Sequence, residues 1–452
     1  MSKSKIQLSD HFTYGRLLRF TLPSILMMIF SSVYGTVDGF FISNFAGKTA
    51  FAALNLIFPY LQILSGFGAM LGVGGSALVA KTLGEGNIKH AQRYFTMMFW
   101  LTLGTSIFFT VFGIAILRPV AYLFGATESM IGDCVTYGTI YLLFTAVMHM
   151  QYTFQSYLIV AEKPKFALAV VLAAGCTNMV LDYVSMAVLN MGIAGASIAT
   201  AISQLTSFVI LLVMCSTHAD AITIHPRNYR PTKQMYAKIL NNGLPSLGRQ
   251  GIMSVSTSLL NNAAAVYGDP AIAAFAIVSR CLNFVNSTVV GFGQGFQPVC
   301  GFNYGARKYD RMHRAFSFSV KVTTIVLLVL GAAGFAFAEP VVTLFRRSDP
   351  EVIRIGTETF RIQILTVWAW GFITLSNMYT QAIGYGIRST ILAAARQGLF
   401  LIPTLLVLPN VWGLRGLEVC QPLADVLTLA LAVWMMTKVI RTQKAQMAQE
   451  TA

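Results

Sequence analysis

Apolar residues run in long blocks along this chain, and the blocks share one length. A helix needs about 20 mostly apolar residues to cross a hydrocarbon core. Twelve such stretches can be read, centred on 20–43, 52–79, 94–117, 134–160, 166–188, 193–215, 238–266, 271–297, 316–338, 357–384, 389–409 and 416–437. The polar breaks are short. Glu162-Lys163-Pro164-Lys165 parts spans 4 and 5, and Asn190-Met191-Gly192 parts spans 5 and 6. The longest connection, 217–237, holds His218, Asp220, His225, Arg227, Arg230 and Lys233. The pattern predicts an all-α polytopic membrane protein with twelve transmembrane helices.

The blocks also repeat. Leu22-Pro23-Ser24 opens span 1, and Leu244-Pro245-Ser246 opens span 7, 222 residues later. Gly66-Phe67-Gly68 is answered by Gly291-Phe292-Gly293, Gly84 by Gly305, and Gly192 and Gly195 by Gly413 and Gly416. Gly68 and Gly72, like Gly291 and Gly295, carry the G-x-x-x-G spacing that lets helices pack closely. Six spans per half is an even number, so both halves face the same way. That is a parallel repeat about an axis along the membrane normal, an architecture in which two lobes rock around a central site. The expected division is a first lobe over 1–215, a linker over 216–237 and a second lobe over 238–452.

Composition agrees with lipid as solvent. Of 452 residues, 55% are hydrophobic and 11% charged, against about 25% charged in soluble domains. The net charge of +15 forms no stripe of the kind nucleic acid requires, so no nucleic-acid partner is expected. Lys and Arg follow the positive-inside rule instead. With the N-terminus inside, outside segments hold only Lys48, Arg118, Arg346, Arg347, Arg354, Arg361 and Arg415. Arg249, Arg280 and Arg396 fall within spans, and the rest of the 32 basic residues are inside. Both termini are therefore expected in the cytoplasm. The first residues lack a signal-peptide core, so the first span is expected to be retained. The six cysteines form no C-x-x-C pair and read as small core residues.

Charges within spans are costly and mark function by default. Three acids fall there: Asp38 in GTVDGFFI, Asp182 in CTNMVLDYV and Asp425. Asn178 precedes Asp182 by four residues and shares its helix face, and Tyr34 stands likewise one turn before Asp38. Thr200 in span 6 can add a hydroxyl oxygen. Asp38, Asn178, Asp182 and Thr200 together would offer hard oxygen donors suited to Na⁺. Two close carboxylates also suit H⁺ coupling. Arg249, Arg280 and Arg396 either line a cleft, where they could meet Asp425 or a substrate, or snorkel to an interface. His149 either relays protons or packs helices. Pro23 either bends span 1 from within or starts it at the first turn. Methionines such as Met253 suit an adaptable binding surface.

Several stretches together resemble one family, the multidrug and toxic compound extrusion transporters. They are LPS at 22–24, TVDGFFIS at 36–43, GFGAMLGVGGSALVAKTLGEGN at 66–87, EKPKFALAVVLAAGCTNMVLDYV at 162–184, GIAGASIATAISQ at 192–204 and GFGQGFQPVCGFNYGARKYDR at 291–311. The resemblance runs from about residue 14 to 440. It implies twelve helices in two lobes, and export of cationic amphipathic drugs in exchange for Na⁺ or H⁺, with no cofactor beyond that coupling ion. It implies a first-lobe cation site at Asp38, Asn178, Asp182 and Thr200, joined by Tyr137 of span 4, and a hinge at Pro23. Some members carry an acid in span 7 where this chain has Met253, and spans 7, 8 and 10 read as lacking a clear acid. Coupling is therefore expected from the first lobe alone.

Other functions fit less well. A lipid-linked saccharide flippase of related build would use the buried arginines for pyrophosphate, but Asp38 and Asp182 favour cationic cargo. No H-E-x-x-H and no G-x-S-x-G in a suitable context points to a membrane enzyme, and the G-x-G runs lack a βαβ setting for nucleotide. A channel would not need a twofold repeat around a buried acid pair. The expected protein is a monomeric exporter of small-molecule drugs in the lipid bilayer of a bacterial plasma membrane.

Overall fold

A computed structural model describes residues 8, 13–218, 228, 229, 231–345 and 349–451. Lys3, Lys5, Asp220, His225, Arg227, Arg230, Arg346 and Arg347 lie outside the described residues, as do residues 219–227 of the connection expected over 216–237.

The chain folds as successive long helical rods. Eight segments are long and apolar enough to cross a membrane: Tyr14–Ala46, Thr49–Gly84, Ile88–Leu123, Pro164–Val188, Gly192–Val213, Asp269–Gly305, Tyr309–Ala336 and Gly386–Ala445. Span 4 is a pair, Glu128–Leu143 and Thr145–Val160, bent by 50° at Phe144, which the sequence pattern presented as one straight block. Gly386–Ala445 is two spans, because Gly413 breaks it at φ 60, ψ −138, a region open to glycine at little cost. Spans 7, Lys233–Ala265, and 10, Pro350–Ile364 with Trp368–Ala382, complete the twelve. They are more polar because side chains such as Arg249, Gln250, Gln363 and Asn377 face a cavity rather than lipid. A short helix after span 9, Ala338–Phe345, was not legible in the hydropathy pattern. Spans 3, 9 and 11 turn large apolar residues outward, among them Val111, Phe112, Leu328, Val329, Leu406 and Val407, as a lipid-facing belt demands.

Spans 1 and 2 pack on spans 8 and 7 to join the two halves. Bare glycine backbones set how closely they meet, and the contacts come in symmetric pairs. A Cβ on Gly74 would strike Gly243, while one on Gly295 would meet Thr21 Cα at 2.8 Å. A Cβ on Gly84 would strike the Phe302 carbonyl, and one on Gly305 the Lys81 carbonyl. Gly74 and Gly295, like Gly84 and Gly305, are 221 residues apart. This register corrects the match of Gly66-Phe67-Gly68 with Gly291-Phe292-Gly293, which stands one helical turn out. Glycines spaced by four look alike after a one-turn slip, so sequence could not choose between the registers.

These contacts all lie near the starts of spans 1 and 7 and the ends of spans 2 and 8. Asn242 Nδ2 donates to the Gly74 carbonyl at 3.0 Å, and Lys81 Nζ to the Ile383 carbonyl at 3.3 Å while resting 4.9 Å over the Tyr304 ring. The lobes are thus closed at the end where spans 1 and 7 begin. Between the lobes a cavity of ≈ 710 Å³ lies toward the other end, where Asn55, Phe58 and Thr257 are exposed.

Candidate functional site

Span 1 brings Tyr34 and Asp38 to the first-lobe wall of that cavity, and span 4 brings Tyr137. Span 5 approaches closely from behind because Gly175 has no side chain: a Cβ there would strike the Phe30 ring and meet Tyr34 Cδ1 at 3.2 Å. Asn178 and Asp182 follow on the same face of span 5, 2% and 0% exposed. Asn178 Nδ2 donates to Thr200 Oγ1 of span 6 at 3.4 Å. The Asp38 and Asp182 carboxyls lie within hydrogen-bonding reach of each other, and Tyr137 sits close to both. All six residues singled out for the first lobe therefore gather in one place. Asp38, Tyr34 and Tyr137 face the cavity, while Asn178, Asp182 and Thr200 stand behind its wall.

The cluster is rich in acceptors and poor in donors. Asp38 Oδ1, both Asp182 oxygens and Asn178 Oδ1 are buried, and no N–H or O–H among the described residues is directed at any of them. Buried polar atoms are almost always paired, and an unpaired one costs about 1–3 kcal/mol. Two facing carboxylates add repulsion. A proton shared between them, or a small hard cation bridging them, removes both costs. The local backbone is unusual too. A π-helical turn, Ile42–Ala46, follows Asp38 within one turn, and another, Tyr183–Val188, begins directly after Asp182. Such bulges are frequent at functional sites.

Sequence reasoning passed over Gln204, which lines the cavity beside Tyr34 and whose Oε1 has no donor. Its signal was the spacing of four from Thr200 on span 6.

The second lobe meets expectation at four of its residues and departs from it at Asp425. Arg249, Arg280, Arg396 and Met253 line the cavity. Asp425 is not on the cavity wall. It is 0% exposed and fully engaged: Arg396 Nε donates to Oδ1 at 2.8 Å and Gln421 Nε2 at 3.0 Å, while Trp370 Nε1 and Thr366 Oγ1 donate to Oδ2 at 2.7 and 2.8 Å. Arg396 also stacks 3.7 Å from the Trp370 ring centre, within the π-helical turn Ala395–Phe400. Four donors on one carboxylate make a structural clamp. Asp425→Ala strands the Arg396 charge, so we expect about 3–5 kcal/mol of destabilisation, read as a marked fall in the unfolding temperature of the purified protein.

Span 12 holds a second acid, beyond the three counted within spans from the sequence. Glu418 is 1% exposed and accepts from Thr359 Oγ1 at 3.2 Å. Span 10 begins at Pro350 rather than near 357, which places Glu351 beside Glu358 on its first helix, so that helix does carry acids. His149 packs against Gly68 and bonds Ser106 Oγ at 2.9 Å through Nδ1, which makes it a helix-packing residue. Pro23 is buried in the interior of Tyr14–Phe41 rather than in its first turn, and Pro245 sits likewise inside span 7.

Comparisons with known proteins accord with this architecture. The MatE family model matches residues 23–184 and again 245–406, two copies 222 residues apart. A multidrug export protein MepA of Staphylococcus haemolyticus is 23% identical over 421 residues, covering 93% of this chain and 92% of its own. The MepA of Staphylococcus saprophyticus is 24% identical over 94% of this chain and 93% of its own. A crystal structure of a MATE protein in complex with MaL6 superposes with a TM-score of 0.93 at 21% identity, over 98% of this chain and 100% of that one. An outward-facing multidrug resistance MATE transporter of the MOP superfamily gives 0.92 at 21% identity, over 98% and 100%. With the twice-matched model spanning most of its length, the chain belongs to the MatE family of multi-pass membrane transporters.

Proposed function

We propose that the chain is a secondary active exporter, exchanging amphipathic cationic drugs for Na⁺ or H⁺ by alternating access. The observation that carries this is the acid pair: Asp38 and Asp182, with unpaired buried oxygens, at the wall of a cavity that opens to one end only. Asp38 touches both the cavity and the buried cluster. A cation taken up there removes negative charge from the cavity wall and weakens its hold on a cationic drug. Competition for one carboxylate is enough to couple two fluxes in opposite directions.

The positive-inside bias supports a closed cytoplasmic end, with both termini in the cytoplasm and the cavity facing out. Likeness to staphylococcal export proteins supports a bacterial plasma membrane. The cavity is completed by one chain, which supports a working monomer. A lipid-linked saccharide flippase would need a basic wall. Here Arg249 and Arg280 do line the wall, but Arg396 is neutralised by Asp425 and Asp38 faces the same space, so the wall carries both signs and drug export is the better reading.

The test is ethidium efflux from cells stripped of their own pumps, with Na⁺ and pH gradients imposed separately. Efflux that follows one gradient names the coupling ion. No efflux under either, with the protein present in the membrane, would refute drug export.

A further inference from the structure

The outer end of the second lobe carries charges that exchange does not use. Of the seven bases that the charge pattern places outside, four fall between 346 and 361: Arg346, Arg347, Arg354 and Arg361. Such a cluster runs against the rule that orients the chain. The matching stretch of the first lobe, 125–140, holds Glu128 and Asp133 and no base. The cluster therefore belongs to one lobe and not to the repeat.

Arg354 and Arg361 stand in a groove of ≈ 730 Å³ between the end of span 9, the short helix Ala338–Phe345 and the first helix of span 10. Two glycines bring its walls together. A Cβ on Gly334 of span 9 would strike Ile364 Cδ1, and one on Gly356 of span 10 would meet Val342 Cγ1 of the short helix at 2.8 Å. The first contact also fixes the depth, because Gly334 and Ile364 stand level. Val329, 63% exposed to lipid, lies about 7.5 Å deeper along span 9. Leu365, one turn deeper than Arg361 on span 10, is 59% exposed and lines the groove. The groove thus sits where headgroups meet hydrocarbon.

Arg354, Glu358 and Arg361 follow at spacings of four and three along one face of span 10, and Glu339 of the short helix lines the same groove. Opposite charges at such spacings commonly pair. Here none of the four forms an ion pair with another described residue. Arg361 lies 5.6 Å over the Phe335 ring instead. Thr357 Oγ1, in the same groove, is buried and has no partner. Two guanidinium forks, two carboxylates and a hydroxyl are therefore turned to one space, beside apolar Phe335, Ile353, Ile362 and Leu365.

We propose that this groove binds the head of an outer-leaflet phospholipid, with the charges of phosphatidylethanolamine. Arg354 and Arg361 take the phosphate, whose oxygens match their planar forks. Glu339 and Glu358 accept from the ammonium, which has three N–H donors. Each sign on the lipid thus meets its opposite on the protein. Choline has no N–H to donate, and an anionic glycerol head gives the two carboxylates no positive partner. The acyl chains run down past Leu365 and Val329. The site is separate from the cavity and its cargo, and takes from the export reading only which leaflet is the outer one.

Native mass spectrometry of the full-length protein in detergent tests this, because it counts bound lipids one at a time. The titrants are phosphatidylethanolamine, phosphatidylglycerol and phosphatidylcholine with the same chains. The wild type should bind its first phosphatidylethanolamine about tenfold more tightly than phosphatidylcholine, the worth of one hydrogen bond to a charged group. Arg354→Gln with Arg361→Gln should weaken that lipid by at least about tenfold. Both side chains are exposed, so the variant carries little risk to folding. Arg118→Gln, an exposed outside base of the first lobe, should change nothing. Glu358→Gln should weaken phosphatidylethanolamine and strengthen phosphatidylglycerol. Equal binding of the ethanolamine and choline lipids would overturn the proposal, as would a wild-type preference for phosphatidylglycerol or full retention in the double arginine variant. Displacement of the lipid by an equal concentration of glycerophosphoethanolamine would overturn it too, since the site would then serve a soluble phosphate ester. No drug or ion gradient enters these measurements, so their failure leaves export standing, and failed efflux leaves the lipid site standing.

Discussion

Asp38→Asn is expected to cut gradient-driven drug export by about 100-fold, the upper range of coupling between two linked sites, while the protein still inserts and purifies as a single species. The substitution keeps size and shape but removes one of two facing charges. Asp182 is then left alone with Asn178 and Thr200, and the reason to take up a cation at the cavity wall is gone. Asp182→Asn should do the same from behind the wall, even though it touches no drug, because its two unpaired oxygens belong to the same cluster. Asp425→Asn offers the contrast. Its carboxylate is saturated by four donors from Arg396, Gln421, Trp370 and Thr366, so its loss should appear as lowered stability rather than as loss of dependence on the gradient. Efflux rates in proteoliposomes, set beside unfolding temperatures, separate the two behaviours. Normal gradient-driven export by Asp38→Asn would contradict the assignment.

The second large effect is expected at the closed end. In Gly305→Val a side chain must occupy the space of the Lys81 carbonyl and crowd Glu85 N, which a Cβ would meet at 3.0 Å. Overpacking of this kind costs about 1–3 kcal/mol. The clash exists only while the lobes are closed there, so the cost falls on one conformation and not on folding. Export should fall by about 5- to 150-fold. Spin labels at Asn87 and Lys308, on the turns after spans 2 and 8, should report a longer distance than in the wild type. Gly84→Val should match it, because Gly84 meets the Phe302 carbonyl in the mirrored contact. An unchanged distance with full activity in both variants would mean that these ends do not form a gate.

How much of this was legible beforehand depends on the physics involved. Span length and the first-lobe cluster were readable because apolar blocks and the four-residue spacing of Asn178 and Asp182 are local properties. Other features were set by tertiary contact. The bend at Phe144 and the π-helical turns beside Asp38 and Asp182 leave no hydropathy trace. The glycine register slipped by a turn because Gly68 and Gly72 look alike in sequence, and only the contacts of Gly74 and Gly295 between the lobes fix which of them answers Gly293. Glu418 was overlooked because it follows Arg415 at the edge of an apolar block, where exposure was the natural expectation, yet Thr359 of span 10 covers it. Asp425 was placed in the cleft because hydropathy reports depth in the membrane but not the side of a helix that a neighbour claims.

The most direct test of exchange is to run it backwards. Proteoliposomes holding the wild type are given an ethidium gradient but no cation gradient, and Na⁺ and pH are followed inside. The account predicts that one of the two ions moves against the drug, and that Asp38→Asn shows no such movement. Ethidium transport with no countermovement of Na⁺ or H⁺, or with either ion travelling alongside the drug, would contradict it.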